Sequence, residues 1–226
     1  MKSGARPRLM RKDVRPTGGI VNERALVEAL RQQLSPRYPR ILAHQNLASL
    51  PAFKAELQQQ FGYLPVLNEV DLILQRKTGQ LCAVEVKCLD VRSGGFTRPF
   101  YDGIGQALSL LRYGFDHVAL WHFFAGTSDQ ARLDRYGAAT WWFIRNELQL
   151  PLEFTYFRVD GDEAAPRFTV MQYKSRHTGA DLIPVDSTRF DVTWKHPNPL
   201  RDDVDAATLR VALAQALNLN VTSPGV

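Results

Sequence analysis

Hydrophobic and polar positions along the chain predict an alternation of helices and strands. Apolar residues recur every three or four positions over residues 19–34 and 102–113, which is the period of an amphipathic helix. They alternate with polar residues over 66–74 and 81–88, which predicts two strands, each with charged residues on one face, joined by a hairpin turn. Residues 117–124 are apolar on both faces and predict a central strand. We therefore expect an α/β fold with a central mixed sheet flanked by helices.

Weaker patterns in the rest of the chain extend this fold. Residues 37–65 show no clear period apart from a helix near 53–60, so we predict mostly loop there. We predict these further elements: a helix over 128–147, a hairpin of strands over 153–159 and 168–174, and a helix over 205–217. The α/β core is thus followed by a C-terminal α/β extension, whose last part is helical. The predicted divisions are a basic flexible arm (1–18), a main domain (19–194) and a C-terminal helical extension (195–226).

Composition and charge narrow the class of protein. The 226 residues are 45% hydrophobic and 23% charged, which is typical of a globular chain and excludes a disordered one. No apolar run approaches the roughly 20 residues of a membrane helix, so we expect no membrane association. The basic first residues lack the apolar stretch of a secretory signal, and we expect a cytoplasmic protein.

The net charge of +5 is concentrated at the start of the chain. Residues 1–16 hold six basic residues and one acidic residue, which leaves the remaining body neutral. A basic arm suits contacts with nucleic-acid phosphates, because each cation near a polyanion releases counterions. The alternative is a solubilising tail. The candidate phosphate contacts in the arm are Arg6, Arg8, Arg11 and Lys12.

Two neighbouring predicted strands carry the residues that point to chemistry. Asp71 lies on the first strand and Glu85 on the second, and the hairpin brings them together. Mg²⁺ takes oxygen ligands from one or two carboxylates and keeps several waters, so this pair suits a metal site. Lys87 points to the same face as Glu85, where an ammonium can orient or help deprotonate an attacking water. The alternative is a solvated strand face with a Glu–Lys pair.

Glu23 is a further candidate metal ligand. It lies on the apolar stripe of the first helix, in register with Leu26 and Leu30. A carboxylate that faces a core is costly unless it is paired or coordinates a metal. The sequence therefore predicts that Glu23 joins Asp71 and Glu85 at the metal.

Four segments and their order resemble the PD-(D/E)XK nuclease superfamily, which includes restriction endonucleases and Holliday-junction resolvases. They are GIVNE (19–23), NEVDLIL (68–74), VEVK (84–87) and GQALSLLRYGFDHVALWHF (105–123). The resemblance covers about residues 19–124 and implies a restriction-endonuclease-like core. Val70 stands where the motif nominally has Pro.

The resemblance also implies roles for individual residues. Asp71 and Glu85 would bind Mg²⁺, for which Mn²⁺ would substitute, and Lys87 would assist the attacking water. Glu23 would complete the metal site, and Gln106 on the later helix would support it. The implied activity is that of a Mg²⁺-dependent DNA endonuclease that hydrolyses phosphodiester bonds.

Other interpretations stay open beside this activity. A non-catalytic nucleic-acid-binding or assembly module could keep the same fold, and a metal-dependent enzyme could act on another substrate. Arg92 and Arg98 alternate with aromatic residues in the loop 90–101, which suits phosphate clamping and base stacking, or an ordinary Gly-rich connection. A homodimer and a protein partner for the C-terminal region are further open alternatives.

Overall fold

The chain folds as an α/β structure in which helices flank a mixed β-sheet, as the hydrophobic pattern predicted. The computed structural model describes residues 22–62, 69–92, 95–96, 99–125, 129–160, 167–172, 181–184 and 194–220. The helices are α1 (Glu23–Leu34), α2 (Pro51–Phe61), α3 (Ile104–Leu110), α4 (Gln130–Trp142) and α5 (Val204–Ala216). The strands are β1 (Arg40–Asn46), β2 (Glu69–Gln75), β3 (Leu81–Arg92), β4 (Gly95–Phe96), β5 (His117–Ala125), β6 (Glu153–Asp160), β7 (Arg167–Gln172) and β8 (Asp181–Pro184). None of the described helices is long and apolar enough to cross a membrane.

The sheet is mixed because two helical crossovers lie at its centre. Its strand order is β1-β2-β3-β5-β6-β7-β8, and the short β4 pairs with β3. The chain passes through α3 between β3 and β5 and through α4 between β5 and β6, and both strand pairs are parallel. All other pairs are antiparallel. Every residue of β5 is buried, which confirms the prediction of a central strand.

Helices cover both faces of the sheet. On one face, the α1 residues Leu26 and Leu30 pack in a cluster with Val84 and Trp121 of the sheet. On the other face, α2, α3 and α5 contribute to a second cluster that includes Leu120. Each of these helices turns its apolar stripe toward the sheet, because the removal of apolar surface from water is favourable.

The strand β1 was missed by the sequence prediction, which expected a loop over these residues. Most side chains of β1 are partly exposed, so the strand lacks the sharp alternation of apolar and polar residues that marks a half-buried strand. It pairs with β2 at the edge of the sheet, from Arg40–Gln75 to Asn46–Glu69. The prediction of a helix near 53–60 was correct, and α2 covers it.

The C-terminal helix α5 packs into the main core. Leu209 and Leu213 are fully buried in the second cluster. Arg210 forms a 2.9 Å ion pair with Asp116, whose other carboxylate oxygen accepts the Leu81 backbone N–H at 2.7 Å. Both charged residues are buried, so each depends on the other for compensation.

Arg210→Met should destabilise the protein strongly. It would leave the Asp116 carboxylate buried without its cation, which typically lowers the free energy of unfolding by about 3–5 kcal/mol. The double variant Arg210→Met/Asp116→Asn should recover much of this loss, and Val211→Ala on the exposed side of α5 should be nearly neutral. Urea unfolding monitored by circular dichroism measures all three. A single variant that unfolds like the wild type would show that this pair does not hold α5.

Candidate active site

The site forms where the pairing of β2 with β3 ends. The ladder runs from Gln75–Leu81 to Leu72–Val84 and stops there. Beyond it, β3 continues to pair with β5 on its other side. Val86 and Cys88 are two residues apart, so their backbone N–H groups point to the same edge, the one that β2 has left. These donors need acceptors that no backbone carbonyl of a described strand supplies.

Two carboxylates supply those acceptors. Asp71 Oδ2 accepts the Val86 N–H at 2.7 Å, and Glu23 Oε2 accepts the Cys88 N–H at 3.0 Å. Asp71 comes from β2 itself, and Glu23 comes from the first turn of α1, where the Asn22 side chain caps the helix. Side chains from two different elements are therefore fixed along one open strand edge.

Lys87 and Glu85 complete the group. Lys87 Nζ lies 2.5 Å from Glu85 Oε1 and 3.9 Å from Glu23 Oε1. Glu85 and Lys87 are buried, with 2% and 6% of their surface exposed. Glu85 Oε2 is also buried and has no hydrogen-bond partner among the described residues. The structure thus brings together Glu23, Asp71, Glu85 and Lys87, which we call the carboxylate cluster.

The electrostatics of the carboxylate cluster raise the pKa values of its two central acids. Burial raises the pKa of Asp71 to about 6, although the Val86 hydrogen bond and Lys87 oppose the shift. Burial and repulsion from Asp71 raise the pKa of Glu85 to about 7, despite the attraction of Lys87. For Lys87, burial acts to lower the pKa of the ammonium, but the combined attraction of Glu85, Glu23 and Asp71 outweighs it and the pKa is raised. The cluster therefore holds more buried negative charge than its lysine compensates.

A divalent cation fits this imbalance. Among the described residues, no three His, Cys, Asp or Glu side chains are already arranged as a metal site, and the Lys87 ammonium lies between Glu85 and Glu23. Glu85 Oε2 is a buried oxygen without a hydrogen-bond partner among the described residues, and burial raises the pKa of Asp71. Mg²⁺ takes such carboxylate oxygens as ligands. Asp71 and Glu85, with Glu23 beside them, are the residues that would hold it.

The other predicted site residues lie outside this group. Gln106 is exposed in the first turn of α3, and none of its hydrogen bonds in the described part of the chain reaches the cluster. Arg92 ends β3, and its side chain lies outside the described residues. Also outside the described residues are Arg98 and the arm residues Arg6, Arg8, Arg11 and Lys12.

Sequence reasoning missed His44, a neighbour of the cluster. In the β1–β2 register it stands opposite Asp71, between the pairs Ala43–Leu72 and Gln45–Val70, and its φ of 53° is unusual for a residue with a side chain. Its Nδ1 lies 3.3 Å from Glu69 Oε1, and its charge would lower the pKa of Asp71. Only the recognition of β1 could have placed this histidine beside Asp71.

A tight turn before α3 supports Lys87. Gly103 has a φ of +82°, and a Cβ on it would lie 2.9 Å from Lys87 Cγ and 2.8 Å from Leu120 Cδ1. His122 stands beside Lys87 in the parallel β3–β5 register, and burial lowers its pKa to about 4. The neutral ring donates its Nε2–H to the Asp102 carbonyl at 2.9 Å, because a carbonyl can only accept. The turn that packs against the Lys87 stem is thus tied to the central strand.

Gly103→Ala should destabilise the protein, whereas Gly105→Ala should not. Alanine at 103 would combine a left-handed backbone with a clash against Lys87, for an expected loss of about 2 kcal/mol or more. At Gly105 a new Cβ meets no atom within 4 Å, and helix propensity predicts a gain of up to about 1 kcal/mol. Urea unfolding of both variants checks this contrast. Equal stabilities would mean that the turn does not pack tightly on Lys87.

Asp71→Asn should stabilise the metal-free protein at high pH. The pKa of Asp71 in the folded state, about 6, exceeds its ordinary value of 3.8, so between these values the folded state binds more protons than the unfolded state. Wild-type stability therefore falls as pH rises through this window and stays low above it. We expect the variant to be more stable by about 1–2 kcal/mol at pH 8, with the difference vanishing near pH 4.

Urea unfolding in EDTA at several pH values tests this expectation. Asp203→Asn, at the exposed start of α5, serves as a control in which no such pH-dependent gain is expected. A variant with the same pH dependence of stability as the wild type would show that the pKa of Asp71 is not raised in the folded state.

Comparison with known proteins adds no assignment. The chain matches no family model, and no curated protein is significantly similar to it.

Proposed function

We propose that the protein is a Mg²⁺-dependent DNA endonuclease with a restriction-endonuclease-like core. The observation that supports this proposal best is the convergence of Asp71, Glu85, Lys87 and Glu23 from β2, β3 and α1. Three acids and a lysine at an open strand edge are the groups that metal-assisted phosphodiester hydrolysis requires. The PD-(D/E)XK resemblance assigns the same residues to this reaction.

Each residue of the cluster has a distinct part in the proposed reaction. Asp71 and Glu85 hold the cation, and their hydrogen bonds to β3 and to Lys87 keep them oriented. When bound, Mg²⁺ supplies Lewis acidity and a template for the attacking water and the leaving oxygen. Lys87 orients the attacking water and offsets the negative charge that develops on the phosphate. Glu23 supports the cation site and fixes the position of Cys88 on β3.

The proposed contacts with the DNA substrate depend on positive charge. The basic arm and Arg92 and Arg98 are proposed to contact DNA phosphates, and Gln106 is proposed to support the site. A homodimer would allow both strands of a duplex to be cut. Cys82 and Cys88 are not joined in a disulfide, which suits the reducing cytoplasm where we place this activity.

One observation favours a second candidate function. The Lys87 ammonium lies against Glu85, so the cluster is partly compensated without a metal. A non-catalytic module that binds nucleic acid or assembles with a partner could keep this pair as a structural ion pair. The two candidates differ in one measurable property, which is metal-dependent cleavage.

Lys87→Ala should lower DNA cleavage by at least about 100-fold, because it removes the group that positions the water. Asp71→Asn should abolish cleavage while its unfolding free energy at pH 8 rises, so that the loss is not a folding defect. Lys54→Ala on α2 removes a lysine away from the cluster and should cleave like the wild type. The assay incubates each protein with linear, supercoiled, single-stranded and four-way-junction DNA, with Mg²⁺, Mn²⁺ or EDTA.

The outcomes of this assay separate the two candidates. Cleavage that needs metal and disappears in both cluster variants would support the endonuclease. Cleavage by Lys87→Ala at the wild-type rate would refute the proposed mechanism. Intact DNA in every lane, with unaltered DNA binding, would favour the non-catalytic module.

A further inference from the structure

A basic cavity lies at the opposite end of β3 from the carboxylate cluster. It has a volume of about 340 Å³ and is formed by the β2–β3 hairpin together with the chain that leaves α1. Its lining residues are Arg37, Tyr38, Arg76, Lys77 and Thr78. Three of these five described lining residues are cations and none of the five is acidic, so the cavity suits an anion.

The two hairpin cations are available to such a ligand. The Arg76 guanidinium lies 4.1 Å from the centre of the Trp194 ring, which orients it by a cation–π contact. Lys77 is exposed at the hairpin tip. Within the described ranges, neither residue forms an ion pair with a carboxylate. Their charge is therefore not neutralised there, unlike that of Lys87 in the cluster.

The side chains suit phosphate oxygens. A guanidinium presents a planar set of donors that matches phosphate geometry, and an ammonium adds a point charge. A phosphate group bound to this lining would meet positive charge from Arg76 and Lys77 of the hairpin.

Two elements set the distance between this cavity and the cluster. Glu23 is in the first turn of α1, and the helix runs for 12 residues toward Arg37, which is about 18 Å at 1.5 Å per residue. From Leu81 to Lys87, β3 covers about 20 Å at 3.3 Å per residue. Both lengths correspond to about six base pairs of duplex. One nucleic-acid chain is therefore long enough to reach both places.

We infer that the cavity binds a backbone phosphate of the same nucleic acid that the carboxylate cluster engages. This inference rests on the proposed function for the identity of the ligand. Phosphate contacts of this kind position the nucleic acid without reading its sequence. The cavity would thus anchor the substrate about 20 Å from the bond that is cut.

The test is the salt dependence of DNA binding by the full chain. Fluorescence anisotropy would measure binding of a labelled 20-bp duplex in EDTA, so that no cleavage occurs, over a series of NaCl concentrations. Each phosphate contact contributes about 0.9 to the slope of log K against log salt concentration, so Arg76→Gln/Lys77→Gln should reduce the slope by about 1–2. Affinity at low salt should fall about tenfold or more.

Matched variants control for charge and folding. Lys54→Gln/Arg135→Gln removes two cations from α2 and α4, outside the cavity, and should bind with a steeper slope than the cavity variant. Lys77→Gln alone changes only an exposed side chain and leaves the Arg76–Trp194 contact in place. It should give a slope reduction of about 1 even if the double variant folds poorly.

The outcomes separate this inference from the proposed function. Cavity variants with the wild-type slope would overturn the inference, while metal-dependent cleavage by the wild type would leave the endonuclease standing. If the wild type binds DNA but does not cleave it, and the cavity variants have a reduced slope, phosphate binding by the cavity would be supported and the endonuclease overturned. A wild type that binds no duplex would overturn the inference, and cleavage of single-stranded or four-way-junction DNA would then decide on the endonuclease separately.

Discussion

The early end of the β2–β3 ladder is the constraint on which the site depends. A β-strand that loses its neighbour leaves backbone donors that must be satisfied. Here Asp71 and Glu23 take the N–H groups of Val86 and Cys88, which water or another strand would otherwise bind. The same hydrogen bonds hold the two carboxylates close to Glu85 and Lys87. The end of the ladder therefore determines the geometry of the site. If β2 and β3 paired further, the backbone of β2 would take these N–H groups and displace the two carboxylates.

This arrangement concentrates charge at a place where burial makes charge costly. Burial is the main cause of the raised pKa values of Asp71 and Glu85, so the fold holds these acids where their ionised forms are costly. Ground-state stress of this kind is common at functional sites, where a ligand relieves it. The ion pair of Asp116 with Arg210 shows the opposite solution, in which each buried charge has its own partner.

Much of this fold could be predicted from the spacing of apolar residues alone. A clear apolar stripe or a continuous apolar segment marks α1, β2, β3 and β5. The grouping of Asp71 with Glu85 and Lys87 also followed from the hairpin and the alternation of side chains. The edge strand β1, and with it His44, could not be predicted, because its side chains are half-exposed on both faces. Nor could the hydrogen bond of Glu23 to Cys88, because the end of a strand ladder leaves no mark in hydrophobic pattern.

The length of helix α1 sets the distance between the carboxylate cluster and the basic cavity. Its first turn contains Glu23 of the carboxylate cluster, and Arg37, which lines the basic cavity, follows three residues after its last residue, Leu34. One residue inserted in its middle would lengthen it by about 1.5 Å and rotate one end by about 100° relative to the other. Such a change would pull Glu23 from β3 or turn Leu34 out of the core, even though every side chain was kept. Natural variation in this helix is therefore expected as substitution on its outer face and not as change in its length.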